Sequence, residues 1–188
     1  MSKVRAVEPV IRMVAVITSD EEVRAWAYRR IEDRWGAIVE STPAMPFQAG
    51  GYYTAAMGDS LLKTLVALAD PVDPVGLADW KTETNHWEAE AATALHKAQA
   101  RPLNLDPGYI TQAKLVLATV KDRDHRIYLK DGIFGEVTLT YVGKQWTFHR
   151  WTYPDYRTAE VADFALQCRA RLRKHLLENN AFRIGKRG

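Results

Sequence analysis

The chain has 188 residues, of which 47% are hydrophobic, 26% charged and 10% aromatic. This composition excludes disordered, collagen-like and low-complexity architectures. A typical domain holds roughly 150 residues, so the length predicts one domain over residues 1–188. Apolar runs such as Met13 to Ile17 are far shorter than the roughly 20 residues of a membrane-spanning helix, so we expect no membrane span. The single cysteine, Cys168, cannot form an internal disulfide, which favours a cytoplasmic location.

The net charge is +3, but it is unevenly distributed along the chain. From residue 169 onward seven Lys or Arg residues stand against one Glu, so this stretch carries +6. A basic tail over about residues 178–188 is found in proteins that contact RNA or another polyanion, although a solvated terminus is the commoner explanation. The charge alone therefore leaves both interpretations open.

The first part of the chain alternates strands and helices. Residues 10–18 form an apolar run typical of a buried strand, and Ser19 and Glu22 form a capping box that opens a helix. Apolar residues at helical spacing continue to Trp35, and Gly36 supplies a left-handed stop. We predict further strands over residues 37–41 and 61–69, with a long surface loop over 42–60.

The second part is dominated by strand signals. A second capping box, Asn85 to Glu88, predicts a helix, whose start can also lie nearer Pro74. Two-residue turns at Asp131–Gly132 and Gly143–Lys144 predict hairpins, and Thr158 caps a C-terminal helix. The predicted strands cover residues 114–121, 125–130, 133–142 and 145–151.

These elements together predict an α+β fold. The N-terminal half is of βαβ type with a mixed or antiparallel sheet. The second half is a β-meander covered by the C-terminal helix. No internal repeat or linker divides the chain.

Polar side chains converge on one face of the predicted meander. If both hairpin turns are two-residue loops, His125, Glu136, Thr138 and His149 share that face. The face can be a solvated one, since antiparallel sheets commonly keep one face wet. It can instead line a pocket, in which His125 is a general acid or base and Glu136 orients it. A metal site with two histidines and one carboxylate is a third interpretation.

A second group of polar residues surrounds the segment Asn104 to Tyr109. Pro107 and Gly108 suit the middle of a type II turn with Asp106 as its first residue. The basic residues Lys114, Lys121 and Arg126 follow, and cations beside a polar loop favour a phosphate or carboxylate ligand. Strand alternation places Arg126 on the face opposite His125. Neither a phosphate-binding loop nor a dinucleotide glycine fingerprint is present, so the sequence identifies no cofactor.

The segment Trp151 to Arg157 is dense in aromatic residues. Its simplest interpretation is a rigid packed corner. Asp155 and Arg157 are its candidates for a binding site, because aromatic neighbours strengthen the electrostatic interactions of a charged pair. Exposed aromatics beside an arginine also suit the stacking of RNA bases.

Several long strings of the chain resemble the bacterial domain-of-unknown-function family numbered 4416. The resemblance covers nearly the whole chain and is densest from Asn104 to Arg157. It implies a single cytoplasmic domain, and it brings no activity, cofactor or catalytic residue with it. The strings are Asn104 to Thr111, Lys114 to Thr119, Lys121–Asp122, His125 to Leu129, Glu136 to Leu139 and Trp151 to Arg157.

The function predicted from the sequence is therefore the binding of a small anionic ligand, phosphate-bearing compounds among them. The candidate proton-transfer residues are His125, Glu136 and Asp106. The alternative is a non-catalytic module in which the basic tail and the Trp151 to Arg157 aromatics contact RNA or a protein partner. The candidate ligand-binding residues are Asn104, Tyr109, Lys114, Lys121, Arg126, Asp155 and Arg157.

Overall fold

The computed structural model describes residues 6–47 and 56–182. This part of the chain contains three long helices and nine strands, which confirms the α+β class. The helices are α1 (Glu21–Trp35), α2 (Leu77–Ala94) and α3 (Ala159–Glu178). The strands are β1 (Ile11–Thr18), β2 (Ile38–Ser41), β3 (Met45–Pro46), β4 (Leu62–Leu68), β5 (Asn104–Ile110), β6 (Lys114–Thr119), β7 (Ile127–Lys130), β8 (Ile133–Val142) and β9 (Gln145–Phe148).

All nine strands belong to one antiparallel sheet with the order β2-β4-β1-β5-β6-β8-β7, in which β3 also pairs with β4 and β9 with β8. Because β4 lies between β1 and β2 and runs antiparallel to both, β1 and β2 are parallel to each other. The same holds for β4 and β5, which flank β1. The units β1-α1-β2 and β4-α2-β5 are therefore two interleaved split β-α-β units. The predicted βαβ-type half is confirmed in its antiparallel form.

Helices cover both faces of the central strands. Val14 and Val16 of β1 pack in one core cluster with α1 and α2, whereas Met13 and Ala15 pack in another with α3. This double coverage explains why β1 is a continuous apolar run, since both of its faces are buried. No helix in residues 6–47 and 56–182 has the length and apolar character needed to cross a membrane.

The two predicted capping boxes are both wrong in detail. Helix α1 is capped by Asp20, whose carboxylate accepts hydrogen bonds from the backbone of Glu22 and Val23 at 2.8 and 3.2 Å. Helix α2 begins at Leu77, directly after a 3₁₀ turn, so Asn85 lies in its interior. The start near Pro74 was thus the better prediction, because proline suits the first turn of a helix. The cap of α3 by Thr158 is confirmed.

The predicted turn at Pro107 and Gly108 is wrong, because this segment is the interior of strand β5. It pairs with β1 along its whole length, with Asp106 opposite Ala15. Pairing with β6 on the other edge covers only Gly108 to Ile110. Proline is tolerated at such a sheet edge, where ladder hydrogen bonds are missing. Strands β5 and β6 are therefore unpaired before Gly108, and a wedge-shaped gap separates them there.

Replacing Gly108 with Ala is expected to lower the free energy of unfolding by roughly 1–3 kcal/mol, a typical cost of overpacking. A Cβ atom at this position would lie 2.3 Å from the backbone oxygen of Val116, and the paired strands cannot separate without losing their ladder. Gly135→Ala is the matched control, because a Cβ atom there meets only the Leu129 side chain, at 3.6 Å. Urea unfolding of both variants measures the difference, and equal losses would contradict the expectation.

Both predicted hairpin turns are present. Asp131, Gly132, Gly143 and Lys144 all have positive φ angles, of 50°, 76°, 58° and 66°, as a type I′ turn requires. The predicted order of the meander is wrong, however. Strand β6 occupies one edge of β8, and β7 and β9 lie end to end on the other.

The ladder between β7 and β8 is irregular. A regular ladder from the Asp131–Gly132 turn would pair Ile127 with Glu136, but the register shifts between Tyr128 and Lys130, so Ile127 lies opposite Gly135. Tyr128 and Phe148 are exposed, since β7 and β9 are short edge strands.

Candidate ligand-binding site

A cavity of about 640 Å³ lies where the pairing between β5 and β6 ends. The wall includes residues of β1, β3, β4, β5, β6, β8, α2 and the 3₁₀ turn Pro154–Tyr156. Apolar residues such as Ile17, Phe47 and Leu117 line part of it. The charged part of the wall carries five basic and three acidic side chains, which are Lys63, Lys81, Arg101, Lys121, Arg126, Asp106, Glu136 and Asp155.

Lys81 of α2 reaches across to β5. Its Nζ donates hydrogen bonds to the Leu105 carbonyl at 2.6 Å and to Asp106 Oδ1 at 3.1 Å. Asn104 donates from Nδ2 to the other oxygen of Asp106 at 2.9 Å. Burial alone would raise the pKa of Asp106, but Lys81 and Asn104 more than offset this and hold the pKa below its usual value. Asp106 is therefore ionised at neutral pH and pairs with Lys81, not with His125.

Glu88 of α2 ties this helix to the start of β5. Its Oε1 accepts from the Leu105 backbone N–H at 2.8 Å and lies 3.7 Å from Lys81 Nζ. Its Oε2 accepts from Arg101 at 2.7 Å, and Arg101 also donates to Asn104. One buried carboxylate thereby fixes two of the cations in the cavity wall.

Glu136 of β8 also lines the cavity. Its Oε2 accepts a hydrogen bond from Arg126 Nε at 2.8 Å and lies 3.0 Å from His125 Nε2. The side chains of Arg126 and Glu136 are each only 4% exposed, and Thr138 is fully buried. The solvated interpretation of this polar face is therefore wrong, and the pocket interpretation fits the burial.

The predicted separation of His125 and Arg126 onto opposite faces is also wrong. Both residues precede the start of β7 at Ile127, so strand alternation does not apply to them. Arg126 additionally donates to the Lys121 carbonyl at 2.9 Å. The segment before β7 is thereby folded back over Glu136.

His125 stands behind Glu136 and does not line the cavity. The rings of His125 and His149 both stack on the indole of Trp151, at centroid distances of 5.1 and 4.7 Å. Trp151 Nε1 donates to the Val137 carbonyl at 2.9 Å, so the packed-corner interpretation fits this tryptophan.

The two histidines do not converge on one carboxylate. His149 Nε2 lies 2.8 Å from Thr140 Oγ1, whereas the other ring nitrogen of His125 lies 2.9 Å from Asp124. Hydrogen bonds from Arg150 and His125 lower the pKa of Asp124 to about 2. Within the described ranges, no group of three or more His, Cys, Asp or Glu side chains is placed to hold a metal ion.

Lys63 of β4 is the most deeply buried cation of the cavity wall, with 1% of its side chain exposed. Its Nζ lies 2.5 Å from Asp155 Oδ2 and 3.3 Å from the Asp155 carbonyl. The same nitrogen lies 3.5 Å from the centroid of the Tyr156 ring. Burial lowers the pKa of Lys63 in spite of the opposing effect of Asp155. Burial also raises the pKa of Tyr156 well above its ordinary value, so this phenol stays protonated.

The structure places six of the predicted site residues in the cavity wall and four outside it. Tyr109 packs among apolar side chains on the α2 side of the sheet, where burial raises its pKa. Lys114 is exposed at the start of β6, and Arg157 donates to the Thr152 and Arg150 carbonyls. His125 is the fourth residue outside. Those in the wall are Asn104, Asp106, Lys121, Arg126, Glu136 and Asp155.

Sequence reasoning missed Lys63, Lys81, Arg101 and Asn85, which also line the cavity. The sequence contains a recognisable signal for two of these residues. Lys63 interrupts an apolar strand, and Lys81 occupies a buried position of α2. A lone charged residue in a buried pattern is costly unless it is paired, and therefore indicates a partner or a site.

A family model described as Domain of unknown function (DUF4416) matches residues 8–172 of the chain. The matched range contains every residue of the cavity wall. No curated protein and no solved structure matches the chain.

Proposed function

Because this chain belongs to the DUF4416 family, whose description names no activity, we propose its function from the geometry of the cavity: it binds a small anionic ligand. The volume of about 640 Å³ lies within the roughly 300–1,000 Å³ of small-molecule sites. A ligand there meets polar and charged groups on one part of the wall and apolar groups on another. This combination suits a compound with a phosphate or carboxylate group on a small organic skeleton.

The observation that carries the proposal is the excess of positive charge in the wall. Five basic side chains face three carboxylates, and the buried Glu88 behind the wall adds a fourth carboxylate. A net positive charge remains in a concave, partly apolar site, where electrostatic attraction is stronger than at an exposed surface. Arginine and lysine side chains are the usual ligands of phosphate and carboxylate groups.

Proton transfer in this cavity falls to Glu136, with His125 as its support. Glu136 is the member of the His–carboxylate pair that faces the ligand space. Arg126 and His125 both contact one of its oxygens, and only Arg126 shares the cavity wall with it. In this proposal Asp106 contributes charge, because Lys81 keeps it ionised.

Replacing Lys121 with Gln is expected to weaken anion binding roughly tenfold or more, since one charge-assisted hydrogen bond is worth about 1.5–3 kcal/mol. Lys121 lines the cavity, whereas the equally exposed Lys114 does not. Lys114→Gln is therefore the matched control. The measurement is a thermal-shift screen of phosphorylated and carboxylated metabolites, followed by calorimetric titration with the strongest one. Saturation at about 100 times Kd adds ~2.7 kcal/mol, which shifts Tm by several degrees. Equal losses in the two variants would indicate non-specific charge attraction and contradict the proposal.

The alternative, an RNA- or protein-binding module, has less support from the described residues. Trp151 is packed between other side chains and hydrogen-bonded. Arg169 and Arg173 of the basic C-terminal region donate to Gln112. Residues 183–188 of the predicted tail lie outside the described ranges. RNA binding would fall steeply as the salt concentration rises, whereas a cavity-bound small ligand would respond only weakly.

The cytoplasm remains our proposed location. The sole cysteine, Cys168, lies on the buried face of α3, and burial raises its pKa to about 12. A thiol of this kind is inert and needs no disulfide partner. That the chain forms one domain also stays a prediction, and the single sheet that receives strands from both halves supports it.

A further inference from the structure

Lys63 has the surroundings of a reactive amine. We propose that its Nζ forms an imine with the carbonyl group of a small anionic aldehyde, ketone or oxo acid bound in the cavity. The inference rests on the proposed function and names its substrate class. It does not follow from anion binding alone, since an anion needs only charge, whereas an imine needs a nucleophile inside the ligand space.

The position of Lys63 differs from that of the other buried lysine in the wall. Lys81 Nζ donates to Leu105 and Asp106, which hold it against β5, and Glu88 lies close by. Lys63 Nζ has two hydrogen-bond acceptors, and both belong to Asp155. The same nitrogen also lies against the face of the Tyr156 ring, which accepts no proton. Asp155 is therefore the carboxylate placed to take a proton directly from this amine, while Asp106 raises the pKa of Lys63 through its charge.

Asp155 supplies the proton transfers that imine formation requires. It takes a proton from the Lys63 ammonium, and the neutral amine attacks the carbonyl carbon while the carbonyl π electrons move onto the oxygen. One N–H proton of this adduct passes to that oxygen, which gives a neutral carbinolamine. Asp155 then gives its proton to the carbinolamine hydroxyl, which leaves as water while the nitrogen lone pair forms the C=N bond. The sum is ammonium plus carbonyl giving iminium plus water, and it consumes no oxidant or reductant. The resulting cationic iminium keeps the carboxylate partner that Lys63 has in the free protein.

Burial favours the neutral amine that the first step needs. Desolvation lowers the pKa of Lys63, and each unit of lowering raises the fraction of neutral amine roughly tenfold at neutral pH. The anionic group of the substrate is held by other cations of the wall, such as Arg126 and Lys121. Such a hydrophobic, partly desolvated setting is the usual means of activating a lysine nucleophile.

Reductive trapping tests this proposal. The full chain is incubated with pyruvate or glycolaldehyde phosphate in the presence of cyanoborohydride, with acetaldehyde as the uncharged control. Digestion and mass spectrometry then locate the adducts. We expect an adduct at Lys63 that forms faster than at Lys81 or the exposed Lys144, because burial lowers the pKa of Lys63, and that inorganic phosphate suppresses. Acetaldehyde should react with the surface lysines without this preference.

Two variants complete the test. Lys63→Arg keeps the charge and the pairing with Asp155 but cannot form an imine, so the preferred adduct should vanish. Asp155→Asn keeps the amine but removes the group that protonates the leaving hydroxyl, and it also removes a charge that raises the pKa of Lys63. Trapping at Lys63 should therefore slow when the two chains are compared at a pH high enough for the amine to be neutral in both. If Lys63→Arg fails to fold, the adduct map of the unaltered chain and the Asp155→Asn rate still decide the question.

The outcomes separate the imine from anion binding. Stabilisation of the unaltered chain by these two anions without an adduct at Lys63 would overturn the imine and leave the proposed function standing. Adducts spread evenly over all lysines would also overturn it. If no anion in the wider metabolite screen stabilises the chain, the proposed function fails instead.

Discussion

Replacing Glu136 with Ala is expected to lower the free energy of unfolding by about 3–5 kcal/mol, the usual cost of breaking a buried ion pair from one side. Glu136 is the side-chain acceptor for Arg126 Nε, and the side chains of both residues are only 4% exposed. Without the carboxylate, the guanidinium stays buried beside His125 with no opposite charge. The effect is measured by urea unfolding at neutral pH.

Two further variants distinguish charge burial from lost packing. Glu136→Gln retains an oxygen that can accept from Arg126, so its loss of stability should be smaller than that of Glu136→Ala. The double variant Glu136→Leu with Arg126→Met removes both charges and should recover most of the stability, as apolar replacements of buried pairs commonly do. A double variant as unstable as Glu136→Ala would show that the unpaired charge is not the cause of the lost stability.

Replacing Lys81 with Met is expected to cost a similar amount, about 3–5 kcal/mol, because Asp106 and Glu88 then lose a buried cation. Lys130→Met is the matched control. Lys130 pairs with Asp79 at the surface, where both side chains are well exposed and such a pair is worth about 0–1 kcal/mol. Unfolding of the two variants under the same conditions compares a buried with an exposed lysine pair.

The pH dependence of the Lys81→Met variant provides a second measurement. In the unaltered chain the pKa of Asp106 is below its ordinary value, so its contribution to stability is present at neutral pH and is lost as the pH falls through the folded-state pKa. Without Lys81 that pKa rises, because Lys81 is the largest of the influences that lower it, so acid protonates Asp106 at a higher pH in the folded variant than in the unaltered chain. The stability difference between the unaltered chain and the variant should therefore narrow as the pH falls from neutral towards the ordinary pKa range of an aspartate. If the stability difference between the two chains does not change with pH, Asp106 is not the group that Lys81→Met leaves unpaired.

The sequence predicts the C-terminal hairpins and the convergence at Glu136 well, because both depend on local chemistry. A glycine in a two-residue turn needs a positive φ, and this requirement located both hairpins. Counting back from those turns brought His125 and Glu136 together, and they lie 3.0 Å apart. The ladder shift in β7 did not separate them, since His125 precedes the paired residues.

The wedge between β5 and β6 could not be predicted in the same way. Pro107 and Gly108 have the composition of a turn, and only the pairing with the distant strand β1 holds them in an extended strand. The role of Lys63 depends on Asp155, which lies far away in the sequence, and no local pattern links the two. Tertiary pairing overrode local preference at both places, and these places form the cavity.

The central position of β1 has a consequence for the synthesis of the chain. Val14 lies opposite Val66 on one edge and Pro107 on the other, so both neighbours of this strand emerge from the ribosome long after it. Closing these long loops costs entropy before any pairing is gained, which favours slow folding. The apolar strand β1 is thus synthesised early, but the strands that cover its edges are synthesised much later. It is the segment that most needs protection from aggregation while translation continues.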